Sequence, residues 1–309
     1  MRVITLLTDF GSKDPYVAQM KGVILSIAKD VEIVDISHEV SPQNIEQGAF
    51  LLYISIPYFP EGSIHVAVVD PGVGTSRRGI VIDCGDYMLV GPDNGLLVPA
   101  AKRSKGFKVY EISNKRYLLD KITYTFHGRD VFAPVSAYLS NGVDPEEIGR
   151  EIIDYVDLDL EFGKVRGERI EGKILHVDRF GNLITNIDEN LIKRYVGYGE
   201  ELDIVIRGKK YKARFLRSYG YSREKEMLLT IGGNGFLEVS VNKGSAYENV
   251  GANIGVYMPI DEAISVLESR EEKLKSNIEN TARTLHELIT IMTKLEQEIA
   301  ALQQYLSTV

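Results

Sequence analysis

Residues 65–75, HVAVVDPGVGT, set a run of β-branched and small apolar residues directly against Asp70-Pro71-Gly72. An unbroken apolar run stopped by a turn reads as a strand buried on both faces, as in a parallel sheet covered by helices. Toward the N-terminus, Arg2–Thr8 (RVITLLT) repeats that composition and breaks into Asp9-Phe10-Gly11. Residues 15–28 between them space Val17, Met20, Val23, Ile24 and Ile27 along one helical stripe; Val31–Ile36 reads as strand and Asn44–Ile56 as helix. Strands alternating with helices predict an α/β domain over residues 1–157 with a mostly parallel sheet.

Downstream the pattern changes. Residues 165–258 offer short β runs between turn residues, at Gly172–Val177, Leu202–Ile206, Tyr211–Phe215, Met227–Ile231 and Phe236–Val241. They predict a second, all-β domain, a small barrel or a sandwich. Residues 260–309 contain no glycine and follow Pro259. There Leu267, Leu274, Ile278, Leu285, Leu288, Met292, Leu295, Ile299, Leu302 and Leu306 alternate four- and three-residue steps, interrupted at Glu271 and Thr281. This predicts a long coiled-coil helix that needs a helical partner to cover its seam.

The bulk properties exclude several classes of function. The 309 residues carry a net charge of −8, which argues against nucleic acid as partner. No apolar run approaches the roughly 20 residues of a membrane span. MRVITLLTDF reads as strand and turn without a small-residue cleavage site, so no signal peptide is expected. A single cysteine, Cys84, forms no intrachain disulfide and suits a reducing cytoplasm. The five histidines are scattered, so no metal site is expected.

No P-loop, dinucleotide fingerprint or nucleophile elbow is present. Polar clusters remain at the carboxyl ends of predicted strands, where open α/β sheets bind ligands. They are Thr8–Gly11, Asp70–Arg78, Gly91–Gly95 and Phe126–Asp130, with Asp178–Asn182 opening the second domain. Each also has a purely structural reading: Asp9 as a cap or turn residue, DPGVG and PDNG as tight turns, His127 as a satisfied histidine, Arg129-Asp130 as a local ion pair.

Taken together, TDFG at 8–11, DISHEV at 35–40, VVDPGVGT at 68–75, GPDNGLL at 91–97, FHGRDVFAP at 126–134 and VDRFGNLITNI at 177–187 resemble the S-adenosyl-L-methionine hydroxide adenosyltransferases, relatives of fluorinase and chlorinase. The resemblance covers residues 1–256. It implies an α/β domain followed by a β-barrel domain, a homotrimer with active sites between subunits, and no cofactor or metal. It implies hydrolysis of S-adenosyl-L-methionine to adenosine and L-methionine.

Position by position, the resemblance makes Asp70, Arg77 and His127 the triad that holds and activates water. Arg78 stands one residue away as a competitor for Arg77. Asp9 would bind the ribose hydroxyls, Asp178 the methionine ammonium and Asn182 the adenine edge, with Phe126 and Phe180 as walls. Gly128 stands where the halogenases place a small hydroxyl, and Asp70 where they place an aromatic one. A carboxylate there repels halide and favours water. The loop Gly232-Gly233-Asn234-Gly235 lacks the fluorinase Ser-Arg pair, which leaves backbone N–H groups or Asn234 to meet the methionine carboxylate.

The sulfonium leaving group is already activated, so the task is to orient and desolvate a water in line with the C–S bond. Asp70 or His127 would accept its proton. A halogenase is the alternative enzyme. The helix from IDEAI onward resembles an archaeal prefoldin α subunit, so a chaperone-like scaffold carrying an enzyme domain is a reading of another class.

Overall fold

A computed structural model of the protein describes residues 2–261 and 263–306. The first domain runs β1 (Arg2–Thr8), α1 (Tyr16–Ile27), β2 (Val31–Ser37), α2 (Ile45–Ser55), β3 (Ser63–Val68), β4 (Gly79–Asp83), β5 (Tyr87–Pro92), α3 (Val98–Ala101), β6 (Lys108–Glu111), α4 (Ala133–Ser140), α5 (Pro145–Ile148) and β7 (Glu151–Ile152). Its sheet has the order β2-β1-β3-β5-β4-β6-β7. Pairing is parallel across β2-β1-β3-β5 and antiparallel beyond. The sheet is therefore mixed rather than mostly parallel. The reason is local: β4 and β5 are joined by a tight turn in which Cys84 N–H donates to the Tyr87 carbonyl, so the chain reverses instead of crossing over.

The sequence explains the layers. β1 and β3 are buried along almost their whole length because helices cover both faces of the sheet. One face packs Ile4, Ile64 and Val66 with Met20 and Ile24 of α1 and Val135 of α4. The other packs Leu7 and Ala67 with Phe50 and Leu52 of α2, which starts at Asn44, whose side chain accepts from Gln47 N–H. This second core continues into the next domain through Leu175, Ile184 and Phe236.

The second domain contains β8 (Lys164–Arg166), β9 (Arg169–Glu171), β10 (Ile174–Val177), β11 (Leu183–Asp188), α6 (Glu189–Tyr195), β12 (Glu201–Ile206), β13 (Lys209–Phe215), β14 (Met227–Ile231), β15 (Phe236–Val241), α7 (Ala246–Val250) and β16 (Ile260–Asp261). They form a nine-stranded sheet ordered β10-β11-β15-β14-β13-β12-β16-β9-β8, antiparallel except for β13 with β14. Two short helices interrupt it, so the domain is not purely β. Ile260 pairs with both β12 and β9.

A 44-residue helix, α8 (Ala263–Leu306), follows. Ala263 is buried in the separate core of the second domain, with Ile204 and Ile260, but every described residue from Glu271 to Gln304 is exposed. The apolar seam from Leu274 to Leu302 stands 51–65% exposed, so the single chain does not cover it. The side chains of Leu267 and Leu306 lie outside the described residues. No described helix is long and apolar enough to cross a membrane.

Candidate active site

Thr8 and Val68, the last residues of β1 and β3, sit side by side in parallel register. Asp9 and Asp70 therefore leave the sheet at one edge, and both line a cavity of about 400 Å³. Phe126, His127 and Gly128 close it from the loop that enters α4. This loop does not follow a strand, as the sequence reading expected; it begins a π-helical turn, Gly128–Phe132. Its approach depends on Gly74, whose φ is +77°. A Cβ there would stand 2.2 Å from the Tyr124 carbonyl oxygen, so any other residue would push the two loops apart.

Arg77 joins the two loops. Its Nε donates to Asp70 Oδ1 at 3.1 Å and its Nη2 to Asp70 Oδ2. Nη2 also reaches His127 Nδ1 at 3.1 Å, and Nη1 donates to the Arg78 carbonyl at 2.9 Å. The guanidinium lies over the Phe132 ring, 5.4 Å from its centroid. A guanidinium has only donors, so His127 Nδ1 accepts and the neutral ring carries its proton on Nε2. Burial, reinforced by the charge of Arg77, pushes the His127 pKa down. Burial raises that of Asp70 and outweighs Arg77, which acts in the opposite sense.

Three rings floor the cavity. Phe126 meets Tyr16 edge-on at 5.2 Å and Phe10 at 5.7 Å. Asp9 Oδ2 accepts the Gln43 backbone N–H at 2.8 Å, in a turn where Gln43 has φ +64°. The turn after β1 is braced from β2: the His38 carbonyl accepts Gly11 N–H at 2.7 Å and its Nδ1 pairs with Thr8 Oγ1 at 2.9 Å. His38 Nε2 is 3.1 Å from Asp35 Oδ1, within ion-pair distance but without hydrogen-bond geometry.

A second cavity, about 590 Å³, is lined by Asp178, Phe180, Asn182, Tyr219, Val241, Lys243 and Gly244. Asp178 organises the turn between β10 and β11. Its Oδ1 accepts the N–H groups of Phe180 and Asn182 at 2.9 and 2.8 Å, and its Oδ2 accepts Asn182 Nδ2 at 2.8 Å. Phe180 stands 76% exposed at the rim.

The candidate residues thus divide between two cavities. Asp9, Asp70, Phe126, His127 and Gly128 line the first, with Arg77 behind Asp70; Asp178, Phe180 and Asn182 line the second. Asn234 is exposed in the turn before β15 and lines neither. Arg78 turns away from the cavity to Asp93, at 2.7 Å, and to Asp154, at 2.9 Å. The Gly91–Gly95 cluster is accordingly structural: Asp93 also accepts Val156 N–H, and Asn94 Nδ2 donates to the Val69 carbonyl beneath Asp70. Arg129 and Asp130 form the local ion pair, at 2.7 Å. Tyr16, Gln43 and Tyr219 line the cavities without having stood out in the sequence, since none belongs to a quoted motif. Among the described residues, no group of three or more His, Cys, Asp or Glu is placed to hold a metal ion.

Residues 4–149 match the SAM hydroxide adenosyltransferase N-terminal domain and residues 172–257 its C-terminal domain. The chain is 42% identical over 252 residues to the (R)-S-adenosyl-L-methionine hydrolase of Methanocaldococcus jannaschii, covering 77% of this chain and 88% of that protein. It is 37% identical to the one from Thermus thermophilus, covering 84% of this chain and 99% of that protein. The fluorinase of an Actinoplanes species is 31% identical over 236 residues, 67% of this chain and 78% of that one. The crystal structure of an uncharacterized conserved protein from Thermotoga maritima superposes with a TM-score of 0.80 at 36% identity, over 84% of this chain and 99% of that one. Both family domains, in order and spanning the two cavities, place this chain in the SAM hydroxide adenosyltransferase family.

Proposed function

We propose that the protein hydrolyses S-adenosyl-L-methionine to adenosine and L-methionine. The observation that carries this reading is the Arg77-braced Asp70 on the wall of a cavity that also holds His127 and Asp9. Water oxygen attacks the ribose 5′ carbon as the C–S bond breaks, and that bond's electron pair leaves with sulfur as the thioether of methionine. The neutral thioether needs no acid, so the chemistry calls for no metal or cofactor. His127 Nε2–H donates to the water oxygen and fixes its position; Asp70 accepts the proton. Asp9 takes the ribose hydroxyls, and the Phe126 ring backs the sugar.

The methionine and adenine contacts, Asp178, Asn182 and Phe180, belong to the other cavity. We read the active site as the first cavity of one subunit facing the second cavity of a neighbour, in a homotrimer. The nine-stranded sheet acts as a partly open barrel that presents this second cavity. The seam of α8 pairs as a coiled coil with another helix, and Asn234 offers its amide to the methionine carboxylate. No feature asks for a compartment other than the cytoplasm.

The test is product analysis by liquid chromatography after incubation with each sulfur epimer of the substrate, with and without chloride or fluoride. Adenosine and methionine in equal amounts in every buffer support hydrolysis. A 5′-halo-adenosine would move the chain to the halogenases, the reading that the more distant fluorinase relatives keep in view.

A further inference from the structure

Glu238 is used by nothing described so far. It stands on β15 between Ile184 of β11 and Thr230 of β14, and is only 7% exposed. A carboxylate held from water calls for a cation, a metal or a proton. Among the described residues no Lys, Arg or His lies within ion-pairing distance; its partner is the Tyr219 hydroxyl, which donates to Oε2 at 2.7 Å. Tyr219 lines the second cavity beside Asp178. Lys243, the cation of that cavity, is paired with Glu224.

The backbone makes room for this acid. A Cβ on Gly232 would stand 1.8 Å from Glu238 Oε1, so a side chain at 232 would displace the carboxylate. Gly232 opens the loop that, with Asp178, faces the methionine half of the substrate in the reading above. Burial raises the Glu238 pKa, and the negative charge of Asp178 raises it further. Two acids adjoin one cavity, and among the described residues neither forms a salt bridge, Lys243 being paired with Glu224. A ligand ammonium would relieve both the desolvation of Glu238 and its repulsion from Asp178.

We infer that Glu238 is the second carboxylate for the α-ammonium group of the substrate's methionine half, acting with Asp178 and selecting sulfonium nucleosides that carry that cation. The inference rests on the proposed hydrolysis. It makes Glu238 a specificity-determining residue remote from the reacting carbon.

The test compares S-adenosyl-L-methionine with 5′-dimethylsulfonio-5′-deoxyadenosine, which keeps the sulfonium and lacks the amino acid. Glu238→Gln retains the shape and an acceptor for Tyr219. It should raise KM for S-adenosyl-L-methionine roughly ten- to a hundredfold, the worth of one charge-assisted contact, with kcat nearly unchanged. KM for the dimethylsulfonio compound should stay as in the wild type. Gly232→Ala, which displaces the carboxylate without removing it, should give the same selective change and serves if Glu238→Gln fails to fold. An equal penalty on both substrates, or none on either, overturns the inference and leaves hydrolysis standing. A wild type that releases no adenosine sinks both readings.

Discussion

Arg77 and Arg78 are neighbours in the chain and serve different carboxylates: Arg77 grips Asp70 at the cavity, and Arg78 grips Asp93 behind it. The peptide between them turns one guanidinium toward the ligand space and the other into the domain. Two substitutions that look alike in sequence should therefore fail in different ways. Arg77→Ala should cut turnover of the folded protein by about 100-fold or more through misplacement of Asp70 and His127, beyond whatever stability is lost by leaving Asp70 unpaired. Arg78→Ala leaves buried Asp93 unpaired and should cost about 3 kcal/mol of stability, while the folded fraction stays active. Thermal melts and assays run side by side separate the two.

Asp70→Asn keeps the size of the side chain and removes the proton acceptor. Turnover should fall about 10²–10⁴-fold, the usual worth of a general base, while binding of substrate measured by calorimetry changes little. Retention of full activity would sink Asp70 as the base.

The pH profile follows from the two shifts. The working form has Asp70 ionised and His127 neutral, and both conditions hold on the alkaline side of the respective pKa. Asp70 is raised above the ordinary 3.8 and His127 lowered below 6.5. The rate should therefore climb with pH along a limb set by whichever of the two groups titrates higher, and then level off. A falling limb above neutrality that disappears in a His127 variant would show the imidazolium to be the active form.

Gly74→Ala tests the meeting of the two loops. The backbone at φ +77° and the 2.2 Å approach to Tyr124 should together cost about 1–3 kcal/mol in a melt. Because the displaced loop carries His127, activity should fall more than stability alone explains.

A truncation designed at the end of the family match would cut away β16, since Ile260 and Asp261 are strand residues and Asp261 pairs with Arg169 at 2.9 Å. The informative cut is after Arg270. That protein should keep its fold and hydrolysis. Sedimentation of both forms tests the proposed trimer and the part of α8 in it: three subunits in both assign the assembly to the enzyme domains, and collapse of the truncated form to monomers assigns it to the helix.

Much of the fold was legible in the sequence. β1 falls on Arg2–Thr8 as read, and β14 and β15 match their runs, because buried strands write continuous apolar stretches. The antiparallel half of the first sheet was not legible, since nothing in the β4 and β5 runs tells a hairpin from a crossover. His127 lines a cavity, but its support is a π-helical turn and not the strand end that the sequence pattern suggested. Asp93 stood in a cluster that read either as ligand-binding or as a tight turn, because long-range partners such as Arg78 and Val156 leave no periodic trace. Glu238 was invisible for the same reason: a lone acid in an apolar strand shows its meaning only once Tyr219 and Gly232 are folded against it.

The two cavities are drawn from separate stretches of chain, residues 9–128 and 178–244. A lesion in one stretch therefore leaves the other half sound. In the proposed trimer, with its sites at the junctions between subunits, chains carrying Asp70→Asn mixed with chains carrying Asp178→Ala will pair two sound halves at some junctions and two broken halves at others. Two dead preparations, unfolded and refolded together, should recover part of the wild-type rate, as complementation between defective copies does within a single gene.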